Sequence, residues 1–176
     1  MKEPSTNVGG VEKLATSLMQ EDRWLDAMKI LRNRSSETGK YWRLSWNLGW
    51  CYFKLGRFDD ARAHMMRANR LARNNDICKW GLGSVYLKKR QFKKAEAILL
   101  EALQIKESDR SRTALALAYL AQGKIAEAEK MHLENIKLRP KASERYESYA
   151  AFLSDVGREA ESERMIQKAR ALRTVQ

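Results

Sequence analysis

YWRLSWNLGWCYFK, residues 41–54, carries three tryptophans at four-residue intervals, Trp42, Trp46 and Trp50. Side chains four positions apart lie one turn above each other on the same side of an α-helix. A second stripe lies roughly half a turn away at about 100° per residue and consists of Tyr41, Leu44, Leu48, Tyr52 and Leu55. The segment therefore predicts a helix with two apolar or aromatic stripes, of which packing on a single neighbour explains only one.

The pattern around this segment recurs along the chain at a nearly fixed interval. A turn residue returns at spacings of 34, 34, 33 and 34 residues, as Asp22, Gly56, Arg90, Gly123 and Gly157. Five residues after each turn comes a small side chain, at Ala27, Ala61, Ala95, Ala128 and Ser162. Glycine suits the positive φ that ends a helix, and small residues allow two helix axes to approach closely. Each unit is therefore predicted to be two helices of about 12 to 15 residues joined by a short turn.

The order of these residues within one unit resembles the tetratricopeptide repeat family. Leu48 and Gly49 are followed by Tyr52, then by the turn residue Gly56 and the alanines Ala61 and Ala68. The resemblance implies an all-α fold, a right-handed superhelical solenoid of about five helical hairpins. It also implies a flexible N-terminus at residues 1–7 and a repeat domain over 8–176, divided into repeats 8–41, 42–75, 76–108, 109–142 and 143–176.

One position departs from the family pattern. The family usually has a tryptophan or similarly large residue three positions before the Leu-Gly pair, packed between the two helices of the unit. In this chain the position holds Val11, Ser45, Lys79, Arg112 and Tyr146. Trp46 and Trp80 come one residue later, which turns a helical side chain by about 100°. We therefore expect these tryptophans to leave the seam between the helices and to lie toward another face.

The resemblance implies that the first helices of the units line a concave groove, where an extended peptide or a helix of another protein binds. The residues expected to contact this partner are Arg43, Trp46, Asn47, Trp50, Lys54, Trp80, Ser84 and Lys88. Trp42 and Trp46 can alternatively tuck under the preceding helices, since large aromatic residues are more often buried than displayed. The exposure of the tryptophan stripe stays open at this point. Aromatic rings beside basic side chains would suit a partner of acidic or aromatic character.

The charge of the chain supports a protein partner and leaves one alternative. The net charge is +12 over 176 residues, which favours an acidic protein partner or, alternatively, RNA or another nucleic acid. Aromatic groove positions on a basic helical-repeat solenoid can stack nucleic-acid bases. Trp46, Trp80 and Thr113 nevertheless offer no recurring polar pair for reading them. We therefore expect a protein-binding scaffold, adaptor or assembly chaperone.

Catalysis, cofactors and metals are not expected. The sequence contains no set of residues for nucleophilic catalysis, phosphate binding or metal-dependent hydrolysis. His64 and His132 are too few for a zinc site and better explained as packed or surface residues. Cys51 and Cys78 lack ligand spacing and are expected to be buried thiols.

The sequence also allows predictions about the cellular location of the protein and about its self-association. No apolar run reaches the roughly 18 to 20 residues that a membrane helix needs, which predicts a cytoplasmic protein without membrane insertion. The last unit has an apolar stripe at Met165, Ile166, Ala169 and Leu172. If its own polar face does not seal the end of the stack, homodimerisation through this repeat becomes an option.

Overall fold

The computed structural model describes residues 8–34 and 40–174, and every regular element in these ranges is an α-helix. The N-terminus predicted to be flexible, residues 1–7, lies outside the described residues. The helices are α1 (Val8–Gln20), α2 (Trp24–Arg32), α3 (Trp42–Lys54), α4 (Phe58–Leu71), α5 (Asp76–Lys88), α6 (Phe92–Ile105), α7 (Asp109–Leu120), α8 (Ile125–Leu138), α9 (Ser143–Asp155) and α10 (Glu159–Arg173). The predicted all-α helical repeat fold is confirmed.

The chain forms two compact units, Met1–Gln91 and Phe92–Gln176, so the boundary falls between α5 and α6. In the first unit, α1 packs on α2 and α3, and α5 packs on both helices of the α3–α4 hairpin. In the second unit, each helix from α6 to α10 packs on the next one along the chain. Helix α2 has only nine residues, fewer than the expected 12 to 15. It ends before Asn33 and a stretch rich in Ser, Thr and Gly, which are weak helix formers.

The five turn residues all adopt the left-handed backbone conformation that the spacing predicts. Their φ angles are 58° at Asp22, 75° at Gly56, 56° at Arg90, 74° at Gly123 and 77° at Gly157. Around Gly56, the N–H of Arg57 donates to the carbonyl of Tyr52 at 2.9 Å, and the N–H of Gly56 donates to that of Phe53 at 3.1 Å. These two bonds satisfy carbonyl groups at the end of α3 and reverse the chain into α4.

Replacing Gly56 with alanine is expected to lower the free energy of unfolding by about 1 kcal/mol. A Cβ at this position meets no atom within 4 Å, so the cost comes from the positive φ and not from a collision. Urea unfolding followed by circular dichroism measures the change. Arg90→Gly, at the equivalent turn, is the matched opposite change and should stabilise the protein. If Gly56→Ala leaves the free energy of unfolding unchanged, the turn relaxes to another conformation in the variant.

The core of the hairpins consists of small residues and of the middle part of the second stripe of α3, which is the stripe that packs between helices. Leu44, Leu48 and Tyr52 are buried, whereas Tyr41 and Leu55 at the two ends of the same stripe are exposed. The small residues that follow each turn are also buried, at Ala27, Ala61, Ala95, Ala128 and Ser162. Helix α5 begins with a side-chain cap, because the side-chain Oδ1 of Asn75 accepts a hydrogen bond from the N–H of Cys78 at 3.0 Å.

Within the described ranges, no helix has both the length and the apolar character required to cross a membrane.

Candidate functional site

Two tryptophans and one phenylalanine of α3 form a row of stacked rings. Trp46 and Trp50 have ring centroids 5.7 Å apart with planes 4° from parallel, and Trp50 and Phe53 are 4.9 Å apart at the same angle. Trp80 of α5 adds a tilted ring 5.1 Å from Trp50. We call Trp46, Trp50, Phe53 and Trp80 the aromatic cluster. All four side chains are half-buried, so their rings pack on each other and still present an edge or a face to solvent.

Trp46 packs against the backbone of the neighbouring helix α5. Its indole Nε1 is buried and has no hydrogen-bond partner among the described residues. The ring lies against Gly81 of α5, where a Cβ would come within 3.0 Å of Trp46 Nε1 and 2.9 Å of Met65 Sδ. A side chain at Gly81 would therefore require the Met65 or the Trp46 side chain to shift. Trp46 therefore serves partly as packing between helices, and the helix it lies against here is the following one, α5, and not one of the preceding helices.

Two predicted basic contact residues already have local partners. Arg43 donates from Nη1 to Glu12 Oε1 at 3.2 Å, and its guanidinium lies 5.2 Å from the Trp42 ring centroid. Lys54 places its Nζ 5.2 Å from the ring centroid of Trp24. Both side chains are exposed. Exposed contacts of this kind contribute little net stability. Both cations can therefore leave their present contacts and pair with a negatively charged group of a ligand.

The remaining predicted residues differ in exposure. Lys88 is exposed in the last turn of α5, and Ser84 donates its hydroxyl to the carbonyl oxygen of Trp80 at 2.9 Å. Asn47 is only 6% exposed, so it offers a partner little surface. The structure thus brings all the predicted residues into the first unit. A direct role for each of them in binding stays a prediction.

Sequence reasoning missed Phe53, which extends the ring row. It lies three positions after Trp50 and seven after Trp46, a spacing that places it on the same face of α3. Its ring also contacts Phe58 of α4 edge-on at 5.7 Å. The i, i+4, i+7 spacing of Trp46, Trp50 and Phe53 was the available signal.

A buried charged network in the second unit was also missed. Arg112 and Arg145 are 4% and 5% exposed, and Asp109 forms ion pairs with both guanidinium groups. Arg112 donates to Asn135 Oδ1 at 3.2 Å, and Arg145 donates to the Asn135 carbonyl oxygen. Glu107 and Glu134 also pair with Arg112. Burial lowers the pKa of Arg112, with Glu134 opposing this effect and Arg145 adding to it.

This network lies at the position where the sequence departs from the family pattern. Arg112 occupies the seam site, and Asn135 replaces the alanine found at Ala68, Ala102 and Ala169. Both arginines are surrounded by carboxylates and carbonyl oxygens of the same unit. The arrangement is therefore that of an internal ion network and not of an open anion site.

Comparison with protein families gives three matches, each described as tetratricopeptide repeat, over residues 18–77, 79–109 and 110–142. A curated relative, BBSome complex member BBS4 from Bos taurus, is 30% identical over 114 residues, which are 64% of this chain and 22% of that protein. The chain therefore spans about a fifth of the length of this relative.

Solved structures of repeat proteins superpose on nearly the whole chain. A tetratricopeptide repeat protein from Parabacteroides merdae matches with a TM-score of 0.83 and 20% identity, over 96% of this chain and 67% of that one. TTC0263, a thermophilic TPR protein from Thermus thermophilus, matches with a TM-score of 0.81 and 17% identity, over 94% and 95%. At this identity, the likeness concerns the fold.

Proposed function

The chain belongs to the tetratricopeptide repeat family, and from that premise we propose that it is an adaptor or assembly factor without catalytic activity. Its aromatic cluster binds an extended segment or a helix of another protein. The bovine relative is described as a member of a complex, and a role in protein assembly agrees with that description. The proposed cytoplasmic location rests on the sequence alone.

The observation that carries this proposal is the stack of half-buried rings centred on Trp50. Trp50 contacts Trp46, Phe53 and Trp80, so a ligand that reaches it meets a continuous aromatic surface. Tryptophan is enriched among the few residues that dominate binding energy, because it buries a large rigid area at small entropic cost. A row of large rings that remains accessible is therefore a stronger binding candidate than scattered exposed leucines.

The charges around the aromatic cluster indicate the character of the partner. Arg43 and Lys54 lie near the two ends of α3, and Lys88 lies in the last turn of α5. A segment that combines an aromatic or apolar anchor with acidic residues can place its anchor on the rings. Its carboxylates then pair with these exposed cations.

Replacing Trp50 with alanine is expected to weaken binding of a cognate peptide at least about tenfold, since the substitution removes the centre of the ring stack. The ligands for this test come from display of a random peptide library on the purified protein. We expect the selected peptides to contain acidic and aromatic residues. Titration of the tightest peptide into wild type and Trp50→Ala, followed by calorimetry, gives the two affinities.

Tyr41→Ala is the matched control, because Tyr41 is an exposed aromatic residue just before α3 and outside the aromatic cluster. It should leave the affinity unchanged. Thermal unfolding of all variants separates loss of binding from loss of fold. Selected peptides that bind Trp50→Ala as tightly as wild type would show that the partner binds elsewhere.

A further inference from the structure

The last hairpin has an open groove between its two helices. It has a volume of about 330 Å³ and is lined along α9 and α10 by small, apolar and acidic side chains. Ala151 and Ile166 supply apolar surface, and Glu147, Glu159 and Glu163 supply carboxylates. Among the described residues, no further helix covers this groove.

The first unit shows what fills the equivalent groove of another hairpin. There, Gly81 of α5 lies against Trp46 and Met65, so the first helix of one repeat covers the hairpin before it. The repeat intervals of 34, 33 and 34 residues make Glu147 the equivalent of Trp46 in the last repeat. By the same intervals, Ile166 is the equivalent of Met65. Met65 is 0% exposed under α5, whereas Ile166 is only half-buried. The α9–α10 groove is therefore equivalent to the surface that a first helix covers in the first unit.

Helix α1 has the complementary uncovered face. Leu14 is 52% exposed, although its repeat equivalents Leu48, Leu82 and Leu115 are 2%, 4% and 1% exposed. Within the described residues, α1 packs on α2 and α3. Leu14 thus presents to solvent the side chain that first helices elsewhere in this chain bury.

We propose that copies of this chain associate head to tail, with α1 of one copy docking in the α9–α10 groove of the next. Lys13 stands at the position of Gly81, so the docked helix places its ammonium beside Glu147 and Ile166. Glu147 now pairs with Arg173 in an exposed contact that Lys13 can replace. Residues 1–91 contain 18 basic and 9 acidic side chains, so α1 belongs to the more basic unit and the local charge of the groove, with its three glutamates, is opposite in sign.

The geometry of this contact determines the kind of assembly. The two contacting surfaces differ, so each added copy leaves one α1 face and one groove unoccupied. Association therefore does not have to stop at a dimer, as a contact between two identical surfaces does, and the average mass rises with concentration past twice the monomer mass. Leu14 and Ile166, one on each surface, form the apolar centre of the contact.

Sedimentation equilibrium of purified wild type, Leu14→Asp and Ile166→Asp tests the proposal. From about 1 µM to about 1 mM, the range of weak specific association, wild type should rise above the monomer mass of 20.4 kDa. Each variant alone should stay at that mass, because one of its two surfaces is blocked. An equimolar mixture should reach twice the monomer mass and stop there, since it restores a single intact contact.

Leu133→Asp serves as the control, because Leu133 is 48% exposed on α8 outside both surfaces, and it should assemble like wild type. If either aspartate variant fails to fold by circular dichroism, charge reversal replaces it. Lys13→Glu and Glu147→Lys should each reduce association, and together they should restore it. Wild type that stays monomeric throughout the range, as expected if the groove serves a helix of another protein, would overturn the proposal. So would variants that assemble normally or a mixture that does not pair.

Discussion

Replacing Asp109 with alanine is expected to lower the free energy of unfolding by about 2 to 4 kcal/mol, because the change leaves Arg145 buried without its counter-ion. The Arg145 side chain is 4% exposed, and it pairs with Asp109 and donates to the carbonyl oxygen of Asn135. An arginine does not release its proton at any ordinary pH, so the folded protein has to keep this charge. Urea unfolding of wild type and variant at neutral pH gives the difference.

The cost of breaking this pair should depend on which partner is removed. Arg145→Met removes the buried charge and leaves Asp109, which is 40% exposed, to be solvated by water. Replacement of a buried charge by an apolar side chain of similar length is often nearly neutral. We therefore expect Arg145→Met to cost clearly less than Asp109→Ala. If both variants lose the same unfolding free energy, desolvation of the Arg145 charge is not the dominant contribution to the network.

A matched control separates the ion pair from the position at the helix end. Asp109 is the first residue of α7, where a negative charge also interacts favourably with the helix dipole. Asp76 is the first residue of α5 and stands at the equivalent repeat position. Asp76→Ala should therefore cost only the helix-end contribution, about 0.3 to 1 kcal/mol. If both changes cost the same, the buried network does not contribute.

His132 is expected to make the protein sensitive to mild acid. Its ring is 4% exposed and lies 6.0 Å from Tyr149 and 5.1 Å from Phe152, measured between ring centroids. Burial lowers the pKa of His132 to about 4, and the nearby Glu129 only partly opposes this shift. The unfolded chain binds a proton near the ordinary histidine pKa of about 6.5. Stability should therefore fall as the pH drops from about 6.5 to about 4, by up to about 3 kcal/mol.

His132→Leu is the variant that isolates this effect. Leucine is the residue at the equivalent position Leu99, where it is fully buried, so it suits the site in size. The carboxyl groups of Asp59, Glu96 and Glu161 have lowered pKa values and also lose stability in acid, in both proteins alike. The difference between the two pH profiles of unfolding free energy, measured in urea, therefore reports His132. Parallel profiles between pH 6.5 and 4 would show that His132 is protonated in the folded state.

Residues that depend on the repeat itself were predictable from the sequence. The interval of 33 to 34 residues identified the turn positions, and all five have the expected positive φ. The seam residues Leu44, Leu48 and Tyr52 are buried as their spacing on α3 indicates. A periodic pattern is visible in one sequence because equivalent positions of successive hairpins have equivalent surroundings. They therefore carry residues of the same kind.

Features that depend on one particular contact were not predictable. Arg112 was identified as a departure from the family pattern, but its partner Asn135 lies 23 residues away, and Arg145 pairs with Asp109 across 36 residues. The fit of Trp46 against Gly81 likewise joins two helices and follows from no local spacing. Such contacts depend on the distance between helix axes at one point, which the repeat pattern does not specify.

The sequence by itself determined the helical hairpins, their turns and the face of α3 that carries the tryptophans, because these follow from the helical period and from backbone conformation. Only the tertiary structure decided what covers each ring. Trp46 lies against the backbone of Gly81, whereas Trp50 lies against the rings of Phe53 and Trp80, and both tryptophans end half-buried. Burial is a property of neighbours brought together from different helices, which the helical period of one segment does not specify.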